Sequence, residues 1–160
     1  MAQVMVIMGS LSDQETVKPC LEQLAKLGVD FAAAVSSAHR TPDRTEQLVA
    51  KAEQEGCQVF ICAAGMAAHL AGAVASRTTV PVIGIPVLGQ ALGGMDALFS
   101  TVQMPPGYPV ATVAINGARN AAFLAAEIIS LKDGALRERL IAARKNMAMQ
   151  IERTVIDFKD

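Results

Sequence analysis

The sequence predicts an α/β fold, a doubly wound parallel sheet with helices on both faces. Three observations lead to it. Short all-apolar runs of strand length alternate with longer segments of helical periodicity. Helix-boundary residues stand between them, among them Gly28, Thr41-Pro42 and Gly56. No repeat or linker interrupts the alternation, so residues 1–160 read as one domain.

Val4-Met5-Val6-Ile7-Met8 is apolar throughout, as a strand buried on both faces must be. Gly9-Ser10-Leu11-Ser12-Asp13 breaks it, and Ser12 or Asp13 can cap the helix that follows. From Gln14 to Leu27 the residues Val17, Leu21, Leu24 and Leu27 recur at helical spacing, and Gly28 ends the helix. The second strand covers Asp30 to Val35. Thr41-Pro42-Asp43 opens a helix with proline in its first turn, and Gly56 stops it after Glu55. The third strand is Gln58 to Ala63, and the small residues from Ala67 to Ser76 predict a closely packed helix. Val82 to Ile85 forms the fourth strand between Pro81 and Pro86. Leu88 to Gly94 reads as a loop, and Met95 to Val102 as a short helix. The fifth strand runs from Val110 to Ile115. Asn116-Gly117 turns the chain into a helix over 120–131, and a last helix spans 135–155. Right-handed crossovers between five parallel strands favour the flavodoxin-like order 2-1-3-4-5, a three-layer sandwich with one extra C-terminal helix. That helix has no strand to return to. Its Leu136, Leu140, Ile141, Met147 and Ile151 predict packing on a neighbouring subunit.

Composition narrows the function. Hydrophobic residues make up 52% of the chain and charged residues only 18%, so copies of the chain are expected to cover part of its apolar surface. A net charge of -1 offers no basic field, which argues against nucleic acid as a partner. Cys20, Cys57 and Cys62 show no metal-ligand spacing and read as reduced core residues. No apolar stretch reaches about 18 residues without Gly, Pro or charge, so no membrane span is expected. The first strand begins almost at Met1, which leaves no room for a signal peptide and predicts a cytoplasmic protein.

Two histidines follow apolar runs, His39 after the second strand and His69 after the third. In a parallel sheet both emerge at the carboxyl edge, where open α/β sheets bind ligands. An imidazole both gives and takes a proton near neutral pH. Each is also open to a structural reading, as a surface or packing histidine. Arg40 at a helix start opposes the helix dipole, which points to a nearby anion, or else to a plain solvent-facing side chain. In the first loop the backbone N–H groups and the hydroxyls of Ser10 and Ser12 suit a phosphate, and Asp13 suits a ribose diol. Helix capping explains the same residues. The loop lacks Gly-x-Gly-x-x-Gly and Gly-Lys-Ser/Thr, so no dinucleotide or P-loop reading applies. No carboxylate pair accompanies the histidines, which argues against a metal.

Several segments in one order carry a resemblance that covers nearly the whole chain. They are Met8-Gly9-Ser10-Leu11-Ser12-Asp13, Ser37-Ala38-His39-Arg40-Thr41-Pro42, Ala67-Ala68-His69-Leu70, Pro81-Val82-Ile83-Gly84-Ile85-Pro86, Gly94-Met95-Asp96-Ala97-Leu98, Val102-Gln103-Met104-Pro105 and 120–126. Together they resemble the 5-(carboxyamino)imidazole ribonucleotide mutase family of purine (IMP) biosynthesis, PurE of class I. The resemblance implies a flavodoxin-like fold, a homo-octamer, and an isomerase that moves a carboxyl group from nitrogen to carbon. It implies His39 as general acid/base and Ser10, Asp13 and Arg40 as ribonucleotide ligands. Ser12, Ser37 and His69 line the same site in the family pattern. No cofactor, metal or ATP is implied, because the bond broken matches the bond formed. Two positions depart from the family pattern: Met66 stands where glycine is usual, and Ala71 where proline is common. The first is expected to narrow the pocket or stiffen the loop over the substrate, the second to change only a helix start.

Four other readings compete. A second class on the same fold carboxylates aminoimidazole ribonucleotide with free CO2, but typically carries Ser-Ala-His-Lys and lacks Ala-Ala-His-Leu. A relative acting on a nicotinate nucleotide has an extra domain. A non-catalytic phosphosugar-binding subunit would need the cation of Arg40 but not His39 beside it. Flavin binding is weaker still, since the chain has no Trp and one Tyr, Tyr108.

Overall fold

The five apolar runs form β1 (Val4–Met8), β2 (Phe31–Val35), β3 (Val59–Gly65), β4 (Val82–Val87) and β5 (Ala111–Thr112). They are parallel and ordered β2-β1-β3-β4-β5, as the sequence predicts. The computed structural model describes residues 1–155. The helices are α1 (Gln14–Lys26), α2 (Pro42–Gln54), α3 (Leu70–Ala75), α4 (Met95–Val102), α5 (Ala118–Ser130) and α6 (Gly134–Glu152).

Side chains alternate across a strand, so a run that is apolar at every position feeds two cores. Val4, Val6 and Met8 join Val59, Ile61, Ile83 and Ile85 on one face, under α1, α5 and α6. Met5 and Ile7 join Phe60, Cys62 and Val82 on the other, under α2 and α3. Each fully buried Val, Ile or Phe contributes about 1.5–3 kcal/mol relative to exposure. The three cysteines are buried and unpaired, as expected. Burial pushes the Cys20 thiol up to about 12 and the Cys62 thiol higher, so both stay protonated and inert.

The boundaries differ from expectation at five places. β4 continues through Pro86 to Val87 instead of stopping at Ile85. The Pro86 carbonyl accepts from the Asn116 N–H. In a parallel strand N–H and C=O of one residue point the same way, so the missing N–H lies on the side where β5 has already ended. β5 itself pairs only through Ala111 and Thr112, far short of Val110–Ile115, although the Val113 N–H still reaches the Gly84 carbonyl. α5 then starts two residues early, at Ala118. α3 begins at Leu70 rather than Ala67, because Met66 adopts φ 56° and the chain reaches helical geometry only at His69. α6 ends at Glu152; Asp133 caps its start by accepting from the Leu136 N–H at 3.0 Å.

Gly84 lets α4 approach the sheet, since a Cβ there would collide with Thr101 Cγ2. The packing of α6 divides. Leu136 and Leu140 are buried in the chain's own core, while Ile141, Met147 and Ile151 remain exposed. Met95, Phe99 and Val102 of α4 are also exposed, as are Ala32, Ala33 and Val35 on the edge strand β2. Among the described residues no helix is long and apolar enough to cross a membrane.

Candidate active site

Loops at the carboxyl ends of β1, β2 and β3 build one cleft. After β1, Ser10 does the capping that the sequence assigned to Ser12 or Asp13. Its Oγ accepts from the Ser12 N–H at 3.3 Å and from the Ser12 hydroxyl at 2.9 Å. Asp13 folds back, and its Oδ2 accepts from the Ser10 N–H at 3.1 Å. The loop therefore caps a 3₁₀ turn (Leu11–Asp13) and lines the cleft at once. Burial raises the Asp13 carboxyl above its ordinary range, against the opposing pull of the Ser10 N–H, the Ser12 hydroxyl and the Arg40 charge.

After β2 a set of hydroxyls fixes the turn that carries His39. Buried Ser36 Oγ lies 2.8 Å from Thr45 Oγ1 and 3.2 Å from Thr41 Oγ1. Thr41 Oγ1 accepts from the Ser37 N–H at 2.9 Å, and Ser37 Oγ accepts from the Arg40 N–H at 3.1 Å. Thr41 stands at the start of α2 as expected, but its side chain turns back toward Ser37 and makes no cap bond to the helix. The Arg40 guanidinium donates to the Gly9 carbonyl at 3.2 Å and so ties the second loop to the first. Ser36 and Thr45 went unassigned in the sequence reading; hydroxyls at positions 41 and 45, four apart at a helix start, were the available signal.

After β3 the chain turns sharply at Met66, a non-glycine residue in the left-handed region. That conformation costs an L-residue about 1–2 kcal/mol. His69 follows at the start of α3, and its Nδ1 lies 2.8 Å from Nε2 of His39. The rings meet edge-on, centroids 4.8 Å apart and planes at 73°. Only one of those two nitrogens carries the shared hydrogen, so the contact links the tautomers of the two rings.

All seven residues singled out from the sequence line this cleft of about 570 Å3: Ser10, Ser12, Asp13, Ser37, His39, Arg40 and His69. Val87, Leu88 and Gly89 line it too and were not anticipated. The end of β4 beside β3 was the signal, since its loop must reach the same edge. Asn116 holds that loop, its Oδ1 accepting from the Leu88 N–H at 2.9 Å. Ala68 is buried away from the cleft, whereas its neighbours Ala67 and Leu70 line it. A larger cavity of about 940 Å3 opens at the opposite edge, near Val82 and Ala111. Its two charged lining residues already have partners: Arg77 pairs with Glu46 at 3.4 Å, and Glu53 accepts from the Thr78 hydroxyl at 2.6 Å. The histidine cleft is the site equipped for proton transfer.

A family model described as AIR carboxylase matches residues 3–150. The chain belongs to the AIR carboxylase family. Curated relatives agree with the family assignment. An N5-carboxyaminoimidazole ribonucleotide mutase of Pyrococcus abyssi is 49% identical over 147 residues, covering 92% of this chain and 84% of the relative. One from Brucella melitensis is 51% identical over 144 residues, with 89% of each chain covered. The crystal structure of Treponema denticola PurE superposes with a TM-score of 0.85 at 28% identity, covering 92% of both chains. Within this AIR carboxylase family chain, the two departures from pattern take different places. Met66 is exposed on the cleft, and Ala71 is buried in the first turn of α3.

Proposed function

We propose that the protein is an isomerase of purine biosynthesis. It converts 5-carboxyamino-1-(5-phospho-D-ribosyl)imidazole to 5-amino-1-(5-phospho-D-ribosyl)imidazole-4-carboxylate without ATP. The observation that carries this reading is the His39–His69 pair at 2.8 Å in a cleft that also holds Arg40 and Asp13. Proton donor, anion anchor and diol acceptor meet within one small-molecule volume. Identities of 49–51% to curated mutases over most of the chain support the same substrate.

The substrate phosphate rests against Arg40 and the Ser10–Ser12 loop. A guanidinium has five donors, so the bond to Gly9 leaves others for an anion. Asp13 accepts hydrogen bonds from the ribose hydroxyls, and Ser37 and His69 line the base end. Protonated His39 gives its proton to the carbamate nitrogen as the N–C bond breaks and CO2 leaves. Carbon 4 of the electron-rich ring then attacks CO2. Neutral His39 takes the proton from that carbon and the ring regains aromaticity. One imidazole serves both transfers, so the cycle balances with no outside proton. CO2 offers no charge to grip, and its retention falls to Ala64, Ala67, Leu70 and Val87 on the cleft wall.

Purified protein incubated with the carbamate ribonucleotide and no ATP is expected to yield the carbon-carboxylated isomer. Product formed only from aminoimidazole ribonucleotide plus bicarbonate would replace this reading with direct carboxylation. We also assign the chain to a cytoplasmic homo-octamer, supported by the exposed apolar residues of α4 and α6 and by the family resemblance. Light scattering is expected to give eight chain masses, and a monomeric mass would overturn that assignment.

A further inference from the structure

We propose that Met66 is the cover of the reacting ring, its thioether side chain closing over the heterocycle and keeping freed CO2 inside the cleft. This inference rests on the mutase reading above.

Among the described residues, two that are not glycine adopt positive φ, Met66 and Asn116, both at 56°. Asn116 belongs to a residue type that tolerates this region, and its side chain is engaged with the Leu88 N–H. Met66 has neither justification. Its side chain makes no hydrogen bond and is 72% exposed, so burial does not offset the strained backbone. A strained residue that gains nothing from packing points to a function at its location. That location is the cleft, which Met66 lines together with both histidines. The same turn sets up the start of α3, where the His69 N–H donates to the Ala67 carbonyl at 2.8 Å.

The chemistry needs an apolar group there. Protonating the carbamate nitrogen and breaking its bond to carbon leaves aminoimidazole ribonucleotide and CO2. If CO2 escapes before carbon 4 attacks, the cycle stops half-way and consumes one proton from solvent. The wall is formed by Ala64, Leu70 and Val87, but the histidine rim is exposed. Methionine is unbranched and polarizable, and it adapts to the flat face of a ring. From position 66 it can close over the substrate without any backbone rearrangement.

The test compares Met66→Gly and Met66→Leu with the wild-type enzyme on the carbamate ribonucleotide. The readout is the fraction of turnovers that release aminoimidazole ribonucleotide instead of the carboxylated isomer. Glycine fits φ 56° freely, so Met66→Gly is expected to keep the wild-type melting temperature. It is expected to raise the leaked fraction and the KM, each by about tenfold. Met66→Leu, which restores apolar volume, is expected to return both toward wild type. A Met66→Gly enzyme with wild-type partition and KM overturns the proposal, even if its oligomeric mass changes. If the wild-type protein does not isomerise the carbamate, the mutase reading fails separately. Calorimetric affinity for aminoimidazole ribonucleotide then decides the cover, weaker for Met66→Gly if it exists and equal if it does not.

Discussion

His39→Asn is expected to lower kcat by about 10²–10⁴-fold, the usual worth of a positioned general acid/base, with nucleotide affinity little changed. Asparagine is close to imidazole in reach and keeps hydrogen-bonding capacity toward His69, but it cannot carry a transferable proton. In the proposed mechanism that proton moves twice, once to release the carbamate nitrogen and once to clear carbon 4. His69 sits 2.8 Å away, its Nδ1 against Nε2 of His39, so the two rings share one hydrogen. When His39 is doubly protonated, that Nδ1 must be the acceptor, which places the His69 hydrogen on the far nitrogen. Steady-state rates with the carbamate substrate, set beside calorimetric binding of the product nucleotide, check the separation. A near-normal kcat in the variant would remove His39 from the proton path.

Arg40→Ala is expected to weaken nucleotide binding by about 10–100-fold, the range for losing charge-assisted hydrogen bonds. The rate at saturating substrate should fall much less, because the proposed role of the side chain is at the phosphate and not at the reacting atoms. The wild-type affinity should also decline with ionic strength more steeply than that of the variant. A small loss of stability should accompany the change, since the guanidinium also holds the Gly9 carbonyl at 3.2 Å. Titration with the product nucleotide at two salt concentrations reads all of the binding effects. Unchanged affinity would mean that the phosphate rests elsewhere.

The strand and helix pattern was legible wherever a single segment carries its own periodicity. β1, α4 and most of α1 and α2 fall where the apolar spacing places them. The errors at the strand ends share a cause, which is that a strand exists only where a neighbour pairs with it in register. Val110 to Ile115 is apolar enough for six residues of strand, but β4 offers partners to two. Pro86 reads as a breaker until the end of β5 shows that nothing waits for its N–H. In the site, His39 stood out because it follows an apolar strand, and Arg40 because a cation is unexpected at a helix start. Leu88, Asn116 and the Ser36–Thr41–Thr45 hydroxyls did not, because their importance lies in partners up to 28 residues away.

By itself the sequence determined the parallel α/β architecture, the edge of the sheet that carries the chemistry, and the two imidazoles placed there. Those follow from side-chain period and strand direction, which are local properties of the chain. Only the tertiary structure decided that the imidazoles touch. They follow β2 and β3, strands separated by β1 and so about 10 Å apart. Their loops lean over the end of β1 from both sides, and no spacing along the chain encodes that lean. It arises from the hydroxyl-locked turn at Ser37 on one side and the left-handed turn at Met66 on the other. The Ser37 turn is held by bonds only three and four residues apart; it is the sheet order β2-β1-β3 that brings it against the Met66 turn.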